Sequence, residues 1–151
     1  MSDFVKVTNV FLDNPATNID EALGFLSDKA VELGLADDRD AVLEAFKARE
    51  AEGTTGMMGG FAIPHAKADT INQAAVLIVK FSGDVEWDSM DGKPIKVAIA
   101  LLVPGGEAGT THLKLLSKVA VLLMDEAFRA NVLAASAADA IAAEVNKGIG
   151  E

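Results

Sequence analysis

The stretch Ile95-Lys96-Val97-Ala98-Ile99-Ala100-Leu101-Leu102-Val103 is the longest apolar run in the chain, and its only charged residue is a lysine. A second run of the same kind covers residues 74–81 (AAVLIVKF). Continuous runs rich in valine, isoleucine and leucine are typical of strands that are covered on both faces. Both runs are far shorter than the roughly 20 residues that a membrane helix needs. They therefore predict two buried strands rather than membrane spans.

The segment between these runs predicts the type of sheet. Asp91-Gly92 has the composition of a tight hairpin turn, so the sheet is expected to be mixed rather than wholly parallel. Apolar and polar residues alternate from Val85 through Trp87 to Met90, which predicts a short edge segment paired with the following strand. Residues 4–12 are rich in β-branched and aromatic side chains and predict a first strand, which Asn14-Pro15 ends.

Helical periodicity fills most of the remaining chain. The predicted helices run from Thr17 or Asn18 to about Gly34, from Asp37 or Asp38 to about Glu50 with Gly53 closing the helix, from Thr110 or Thr111 through Leu123, over residues 125–134, and from a Ser136–Asp139 capping box towards Asn146. Helices that alternate with buried strands, without a linker or repeat, predict one α/β domain over residues 1–151. We expect a layered sandwich with helices on both faces of a mixed, mostly parallel sheet.

Composition excludes several classes of function. The 151 residues contain no cysteine, which rules out disulfides, thiol nucleophiles and cysteine-ligated metals. With 13 basic and 23 acidic side chains the net charge is −10, so nucleic acid and anionic membrane surfaces are not expected partners. The first residues lack the basic and apolar segments of an export signal. A protein partner with a basic patch fits this charge better.

Residues 53–67 (GTTGMMGGFAIPHAK) place a histidine directly after a proline and load its approach with glycine. Pro64 fixes its own φ and disfavours helix at the preceding residue, so residues 61–64 should be extended, with His65 where that extension ends. An ordinary histidine has a pKa of about 6.5 and is a competent nucleophile near neutral pH. Four glycines in the stretch allow backbone N–H groups to approach an anion closely. We therefore expect His65 to accept a phosphoryl group.

Two polar residues lie on helix faces that should be apolar. Arg49 continues the stripe of Val42 and Phe46 on the second helix, and His112 precedes Leu115 by three positions in the first turn of the third helix. Both side chains should point inward, where they can converge on His65. A guanidinium or an imidazole N–H can donate hydrogen bonds to the oxygens of a phosphoryl group.

The same residues also fit plainer roles. His112 can be a hydrogen-bonded core histidine, Arg49 can interact with the end of its helix, and the glycines can serve only turns. Met57, Met58 and Trp87 are typical packing residues. Other chemistries have less support, because no metal-ligand spacing, Walker A loop, dinucleotide fingerprint or serine-hydrolase elbow occurs in the sequence.

Taken together, these residues resemble a known family. The resemblance lies in Arg49-Glu50, Gly53-Thr54-Thr55-Gly56, Ala62-Ile63-Pro64-His65-Ala66-Lys67, Trp87-Asp88-Ser89-Met90-Asp91-Gly92-Lys93-Pro94 and Thr111-His112-Leu113. In this order they are similar to the enzyme IIA components of the bacterial sugar phosphotransferase system, of the fructose/mannitol family, over nearly the whole chain. The Asp-Gly-Lys-Pro turn and residues 122–129 (LLMDEAFR) look most like the fructose-type members.

The resemblance implies a fold, a reaction and partners. It implies a five-stranded mixed sheet flanked by helices and a phosphohistidine relay in the cytoplasm. The family's phosphorylated histidine corresponds to His65, its site arginine to Arg49 and its second histidine to His112. The donor would be the histidine phosphocarrier protein, and the acceptor a cysteine of a separate enzyme IIB that works with a membrane enzyme IIC. No metal or nucleotide cofactor is implied.

Two functions remain open at this point. The first is a phosphoryl carrier in sugar uptake, of the fructose type. The second is a regulatory binding module, because nitrogen-type members of the family resemble this sequence closely around His65 and dock to other proteins according to their phosphorylation. A phosphoryl group changes local charge and can select partners in this way.

Overall fold

The structure, a computed structural model, describes residues 5–106 and 110–150, with side chains for residues 5–106 and 113–150. A short 3₁₀ turn at Val7–Asn9 precedes the regular elements. These are β1 (Val10–Asn14), α1 (Ile19–Glu32), α2 (Arg39–Glu52), β2 (Phe61–Ala62), β3 (His65–Ala68), β4 (Ala75–Val85), β5 (Ile95–Pro104), α3 (Thr110–Leu122), α4 (Glu126–Ala134) and α5 (Ala138–Gly150). In the described ranges no helix is long and apolar enough to cross a membrane.

The predicted mixed sheet is confirmed. Strand order is β1-β4-β5, and both β2 and β3 pair with the remaining edge of β5. β4 and β5 are antiparallel, while β1 pairs with β4 in parallel, as do β2 and β3 with β5. The Asp91-Gly92 turn predicted that the sheet is mixed, and the antiparallel pair is formed by β4 and β5. β5, which contains the longest apolar run, is thus the strand on which the site-bearing strands are aligned.

The sheet is covered on both faces, as predicted. One face packs against α1 and α2 in a first cluster that includes Leu23, Leu26 and Phe46. The other face packs against α3, α4 and α5 in a second cluster that includes Val119 and Ile141. Alternate residues of the central strands belong to opposite clusters, because successive side chains of a strand point to opposite faces. The layered α/β fold follows directly from the two continuous apolar runs.

The prediction that extension ends at His65 is wrong. β2 stops at Ala62, and β3 begins at His65 and continues to Ala68 along the same edge of β5. The interruption falls at Pro64, which has no N–H to donate to a strand ladder. The Pro64 carbonyl oxygen still accepts the N–H of Leu101 at 3.0 Å, so the chain stays aligned with β5 across the break.

The first strand was also predicted too early. Residues 7–9 form the 3₁₀ turn, and the strand begins only at Val10. Asn9 is buried, and its side-chain amide donates to the Val76 carbonyl oxygen at 3.2 Å. This bond ties the turn to the neighbouring β4 through a side chain instead of the backbone. Hydrophobic pattern alone does not reveal such a bond.

The segment after β4 is not the separate edge strand that the alternation predicted. β4 extends to Val85, which pairs with Ile95, but Trp87 and Met90 lie in no strand. The Met90 N–H instead donates to the Gly56 carbonyl oxygen at 3.2 Å. The segment therefore makes its hydrogen bonds with the loop that leads to His65, which short-range periodicity cannot show.

Helix starts agree with the predicted caps in α1 and α2 and differ later. Asn18 caps α1 and Asp38 caps α2 through side-chain oxygens that accept backbone N–H groups. Thr110 and Thr111 already belong to α3, so neither is its N-cap, and the preceding position lies outside the described residues. α5 begins at Ala138, so its N-cap position is 137 and not Ser136.

Candidate functional site

His65 lies on the edge strand of the sheet, at the first position of β3. It pairs with Leu101, whose side chain belongs to the α3–α5 cluster, while the next residue, Ala66, belongs to the α1–α2 cluster. Paired residues share a face, so the His65 side chain lies on the face of the sheet that α3 covers. α2 packs on the opposite face. Because β3 lies at the edge of the sheet, a side chain of α2 can still reach His65 around that edge. His65 is half-buried there.

Arg49 makes this approach. It lies in the last turn of α2, and its Nε–H donates to His65 Nε2 at 2.9 Å. The predicted meeting of these two side chains, which are 16 positions apart in sequence, is therefore observed. Arginine has no acceptor atom, so His65 Nε2 must present its lone pair. His65 Nδ1 lies 3.2 Å from the Ile63 carbonyl oxygen and must then carry the proton that it donates. The two contacts select one neutral tautomer, with Nε2 as the nucleophilic nitrogen.

Arg49 is fixed at a second point. Its Nη1 donates to the Gly53 carbonyl oxygen at 2.8 Å, at the residue that ends α2. This bond matches the plainer prediction that an arginine interacts with the end of its helix. The contact with His65 goes beyond that role. Arg49 is half-buried, so the guanidinium is partly sheltered from water where it meets the imidazole.

His112 remains a prediction. Its backbone lies in the first turn of α3, on the helix layer that covers the His65 face, but its side chain lies outside the described residues.

The glycine-rich loop does not present an open set of N–H groups. The N–H of Gly53 donates to the Glu50 carbonyl oxygen, that of Gly56 to Thr54 Oγ1 at 3.0 Å, and that of Gly59 to Asp91 Oδ2 at 2.9 Å. The expectation that these amides bind an anion is therefore wrong for these three glycines. They serve the turns of the loop, which was the plainer alternative.

One glycine is required for close packing. A Cβ on Gly56 would lie 2.0 Å from the Asp88 carbonyl oxygen, which is far inside van der Waals contact. The Thr54 hydroxyl donates to the same carbonyl oxygen at 2.6 Å. The loop that precedes His65 therefore packs closely against residues 86–93.

The packing interpretation of Trp87 agrees with its burial. Its exposed fraction is 6%, and it belongs to the α1–α2 cluster. Met57 is half-buried and packs against the α3–α5 cluster. In the parts of the chain that the structure describes, no group of three histidine, aspartate or glutamate side chains is arranged to hold a metal ion.

Sequence reasoning missed Glu50 and Thr55 as a pair. The Glu50 carboxylate accepts the backbone N–H of Thr55 at 3.2 and 3.3 Å from its two oxygens, and it also accepts the Thr55 hydroxyl in a short hydrogen bond. Thr55 is 4% exposed. The sequence signal is weak: a threonine in the Gly53-Thr54-Thr55-Gly56 stretch, five positions after Glu50, with no periodic pattern that relates the two residues.

The comparisons with known proteins assign the family. A family model described as "Phosphoenolpyruvate-dependent sugar phosphotransferase system, EIIA 2" matches residues 3–148. The chain belongs to this family. EIIA components of this system are phosphotransferase components that carry a phosphoryl group, so this chain is a phosphoryl carrier.

Two relatives with different names are equally similar to this EIIA chain. A fructose-specific EIIA component from Haloferax volcanii is 38% identical over 135 residues, which cover 89% of this chain and 87% of that protein. A nitrogen regulatory protein from Bradyrhizobium diazoefficiens is 38% identical over 121 residues, covering 80% of this chain and 78% of that protein. Other relatives are longer, and the chain spans about a fifth of the EIIABC components that it matches.

Solved structures of EIIA proteins share the fold. The nitrogen regulatory protein IIA-Ntr from Neisseria meningitidis superposes with a TM-score of 0.87 at 27% identity, over 94% of this chain and 96% of that chain. The mannitol enzyme IIA of Escherichia coli, in complex with phosphorylated mannitol enzyme IIB, gives a TM-score of 0.78 at 17% identity, over 93% and 96% of the two chains. At this identity the second likeness shows the fold alone.

Proposed function

We propose that His65 is the phosphoacceptor of this EIIA domain and that its Nε2 atom carries the phosphoryl group. The observation that supports this assignment most directly is the pair of contacts on the ring, Arg49 Nε–H to Nε2 and Nδ1–H to the Ile63 carbonyl oxygen. They leave the lone pair on the nitrogen that faces a guanidinium, which is the group best suited to bind phosphoryl oxygens.

The transfer needs no further covalent group. The His65 Nε2 lone pair attacks phosphorus, the N–P bond of a donor phosphohistidine breaks, and its electron pair returns to the donor ring. The proton on His65 Nδ1 stays in place, so the ring gains positive charge that the Ile63 carbonyl oxygen stabilises. In the second step a cysteine thiolate attacks phosphorus, an S–P bond forms, and the electron pair returns to Nε2. Alignment and charge stabilisation supply the catalysis.

Arg49 has two successive roles in this scheme. Before transfer, its Nε–H covers the Nε2 lone pair. During transfer, the guanidinium turns its N–H groups to the phosphoryl oxygens, which carry more negative charge than the imidazole nitrogen. We propose that His112 donates a hydrogen bond to the same oxygens and acts mainly when the phosphoryl group leaves.

The partners follow from the family and its members' names. We propose the histidine phosphocarrier protein as donor and a separate enzyme IIB, working with a membrane enzyme IIC, as acceptor. Residues 1–151 then form one EIIA domain that acts in the cytoplasm. The enzyme IIA of the Escherichia coli mannitol complex is bound to phosphorylated enzyme IIB, which supports an acceptor of this kind.

Fructose-type uptake is our first proposal, and phosphorylation-dependent regulation is the second. The fructose-specific relative is matched over more of its length, 87% against 78% for the nitrogen regulatory relative. The regulatory alternative is kept because the two relatives are equally identical and because IIA-Ntr gives a TM-score of 0.87.

The phosphoacceptor is tested with labelled phosphoenolpyruvate, enzyme I and the phosphocarrier protein. His65→Ala should lose all labelling, while Lys67→Ala, an exposed residue of the same strand, should accept label at the wild-type rate. Undiminished labelling of His65→Ala would defeat the assignment.

His112 is tested by separating the two transfer steps. His112→Ala should still accept label but should pass it to enzyme IIB at least tenfold more slowly than wild type, since one donor to the leaving phosphoryl group is lost. Equal loss in both steps, or none, contradicts a role specific to phosphoryl release.

Uptake and regulation are separated by the final acceptor. The labelled protein is incubated with each candidate enzyme IIB and with membranes that contain its IIC, in the presence of fructose. Fructose phosphate that appears only with wild-type protein supports uptake. Efficient labelling of His65 without transfer to any IIB supports regulation.

A further inference from the structure

Thr55 is hydrogen-bonded to two chain segments that contact the His65 ring. On one side, its N–H and hydroxyl donate to the Glu50 carboxylate at the end of α2. On the other side, its carbonyl oxygen accepts the N–H of Ile63 at 3.0 Å. Thr55 is 4% exposed, so these bonds are sheltered from competing water.

Each partner of Thr55 is next to one contact of the imidazole. Ile63 itself supplies the carbonyl oxygen that accepts His65 Nδ1–H at 3.2 Å. Glu50 directly follows Arg49, whose Nε–H donates to His65 Nε2 at 2.9 Å. Thr55 is therefore linked, through one neighbouring residue or directly, to two groups that contact the His65 ring.

The Ile63 carbonyl is held from two directions. Pro64 follows it with a fixed φ, and the Pro64 carbonyl oxygen is bonded to Leu101 of the central strand. Thr55 holds the N–H side of Ile63, whose side chain is 4% exposed in the α3–α5 cluster. Pro64 restricts the backbone that follows Ile63. The position of the Ile63 carbonyl group therefore depends mainly on the hydrogen bond between the Ile63 N–H and Thr55.

We propose that Thr55, acting with Glu50, is a positioning residue that keeps His65 in the Nδ1–H tautomer and so leaves the Nε2 lone pair available to phosphorus. Neither residue touches the phosphoryl group in this proposal. They act through the Ile63 carbonyl oxygen and through Arg49. The inference rests on the proposed function of His65, but the tautomer can be measured without any phosphoryl donor.

The test uses the full-length protein labelled with ¹⁵N-histidine, at a pH where His65 is neutral. A ring nitrogen that carries hydrogen and one that presents a lone pair have distinct ¹⁵N chemical shifts, and His65→Ala identifies the His65 signals. Thr55→Val removes the hydroxyl, Thr55→Ser keeps it, and Glu50→Gln keeps one acceptor oxygen without the charge. Labelling by the phosphocarrier protein is measured on the same samples.

We expect wild type and Thr55→Ser to show Nδ1–H and equal labelling rates. Thr55→Val should show a mixture of tautomers and about tenfold slower labelling, less than the order of 10²-fold that a 1 Å misplacement can cost. Glu50→Gln should lie between them. If Thr55→Val does not fold, the comparison of Glu50→Gln with wild type still tests the proposal.

Some outcomes overturn the inference. One is a Thr55→Val protein that is less stable but keeps the wild-type tautomer, since a purely structural role predicts that result. A wild-type ring protonated at Nε2 overturns it as well. Failure of wild type to accept label, with the tautomer shift intact, instead overturns the proposed phosphoacceptor and leaves the positioning role supported.

Discussion

Lys80 and Arg49 are two half-buried cations that contact helix C-termini, and they differ in how many of their N–H donors bind there. Among the residues that the structure describes, the Lys80 ammonium, on β4, donates only to carbonyl oxygens at the end of α4, those of Leu133 and Ala135 at 2.6 Å and Val132 at 3.4 Å. Arg49 donates one N–H to the end of α2 and directs another at the His65 ring. The Lys80 contacts link β4 to the end of α4, while Arg49 links the end of α2 to the His65 ring.

This difference follows from the chemistry of the two side chains. An ammonium is a compact charge that can satisfy several nearby carbonyl oxygens. A guanidinium is a planar fork, so it can hold one acceptor while presenting N–H groups to another. Position at a helix end alone therefore does not separate a structural cation from a functional one. The identity of the second hydrogen-bond partner is what separates them.

Arg49→Ala gives the largest expected effect. Removal of a donor to the charge that develops in a transition state costs on the order of 10²–10³ in rate, and we expect phosphate acceptance by His65 to fall by about that factor. Stability should fall by about 1 kcal/mol, because the hydrogen bonds to the Gly53 carbonyl oxygen and to His65 Nε2 are both lost. Labelling kinetics and urea unfolding measure the two quantities.

Arg39→Ala is the matched control on the same helix. Arg39 makes only exposed ion pairs with Asp28 and Asp40 among the described residues, so its loss should leave labelling unchanged. If the Arg49 and Arg39 variants accept label at similar rates, Arg49 has no special role in labelling. The distinction between Arg49 and Lys80 would then be lost.

Lys80→Met should have the opposite profile. Carbonyl oxygens at the end of α4 lose their donor, and we expect unfolding free energy to fall by about 2 kcal/mol. Labelling of the folded protein should keep the wild-type rate. Lys96→Met is the control on the adjacent strand, where an exposed ion pair with Asp84 at 3.0 Å should contribute less than about 1 kcal/mol. Slow labelling of a folded Lys80→Met protein would give the lysine a functional role.

The smallest effect concerns Asp91, which holds the far end of the loop before His65. The N–H groups of Gly59 and then Lys93 lower the pKa of its carboxyl group below the ordinary value. A carboxyl with a lowered native pKa stabilises the fold above its unfolded pKa of about 3.9, and this contribution is lost as pH falls through the native pKa. Wild type should therefore lose stability more steeply than Asp91→Asn below pH 4, as measured by urea midpoints. Parallel pH profiles contradict this contribution.

The fold was largely predictable because its signals are local. Two apolar runs predicted the covered strands, the Asp91-Gly92 turn predicted a mixed sheet, and Asn18 and Asp38 capped the first helices as expected. The errors arose where a distant partner decides the backbone. Asn9 bonds to β4 through its side chain, although the β-branched and aromatic composition of residues 4–12 predicted a strand there. Met90 bonds to the loop at Gly56, although alternation predicted an edge strand.

The site was predictable in part, for a similar reason. Arg49 was found because helical periodicity places it on the inward face, and its contact with His65 is observed. The link between Glu50 and Thr55 was missed because it joins a helix end to an irregular loop, where no period relates the residues. The role of the glycines was misjudged because their N–H groups take acceptors inside the protein.

The break at Pro64 affects how readily the sheet edge that contains His65 could pair with strands of other molecules. Sheet edges with open backbone groups invite strand addition and aggregation, and short strands and edge prolines oppose it. Here residues 55 and 57 exchange backbone hydrogen bonds with residues 61 and 63, which occupies the β2 edge, and β3 is only four residues long. A docking protein can thus approach the His65 ring at a sheet edge that is a poor template for intermolecular β-structure.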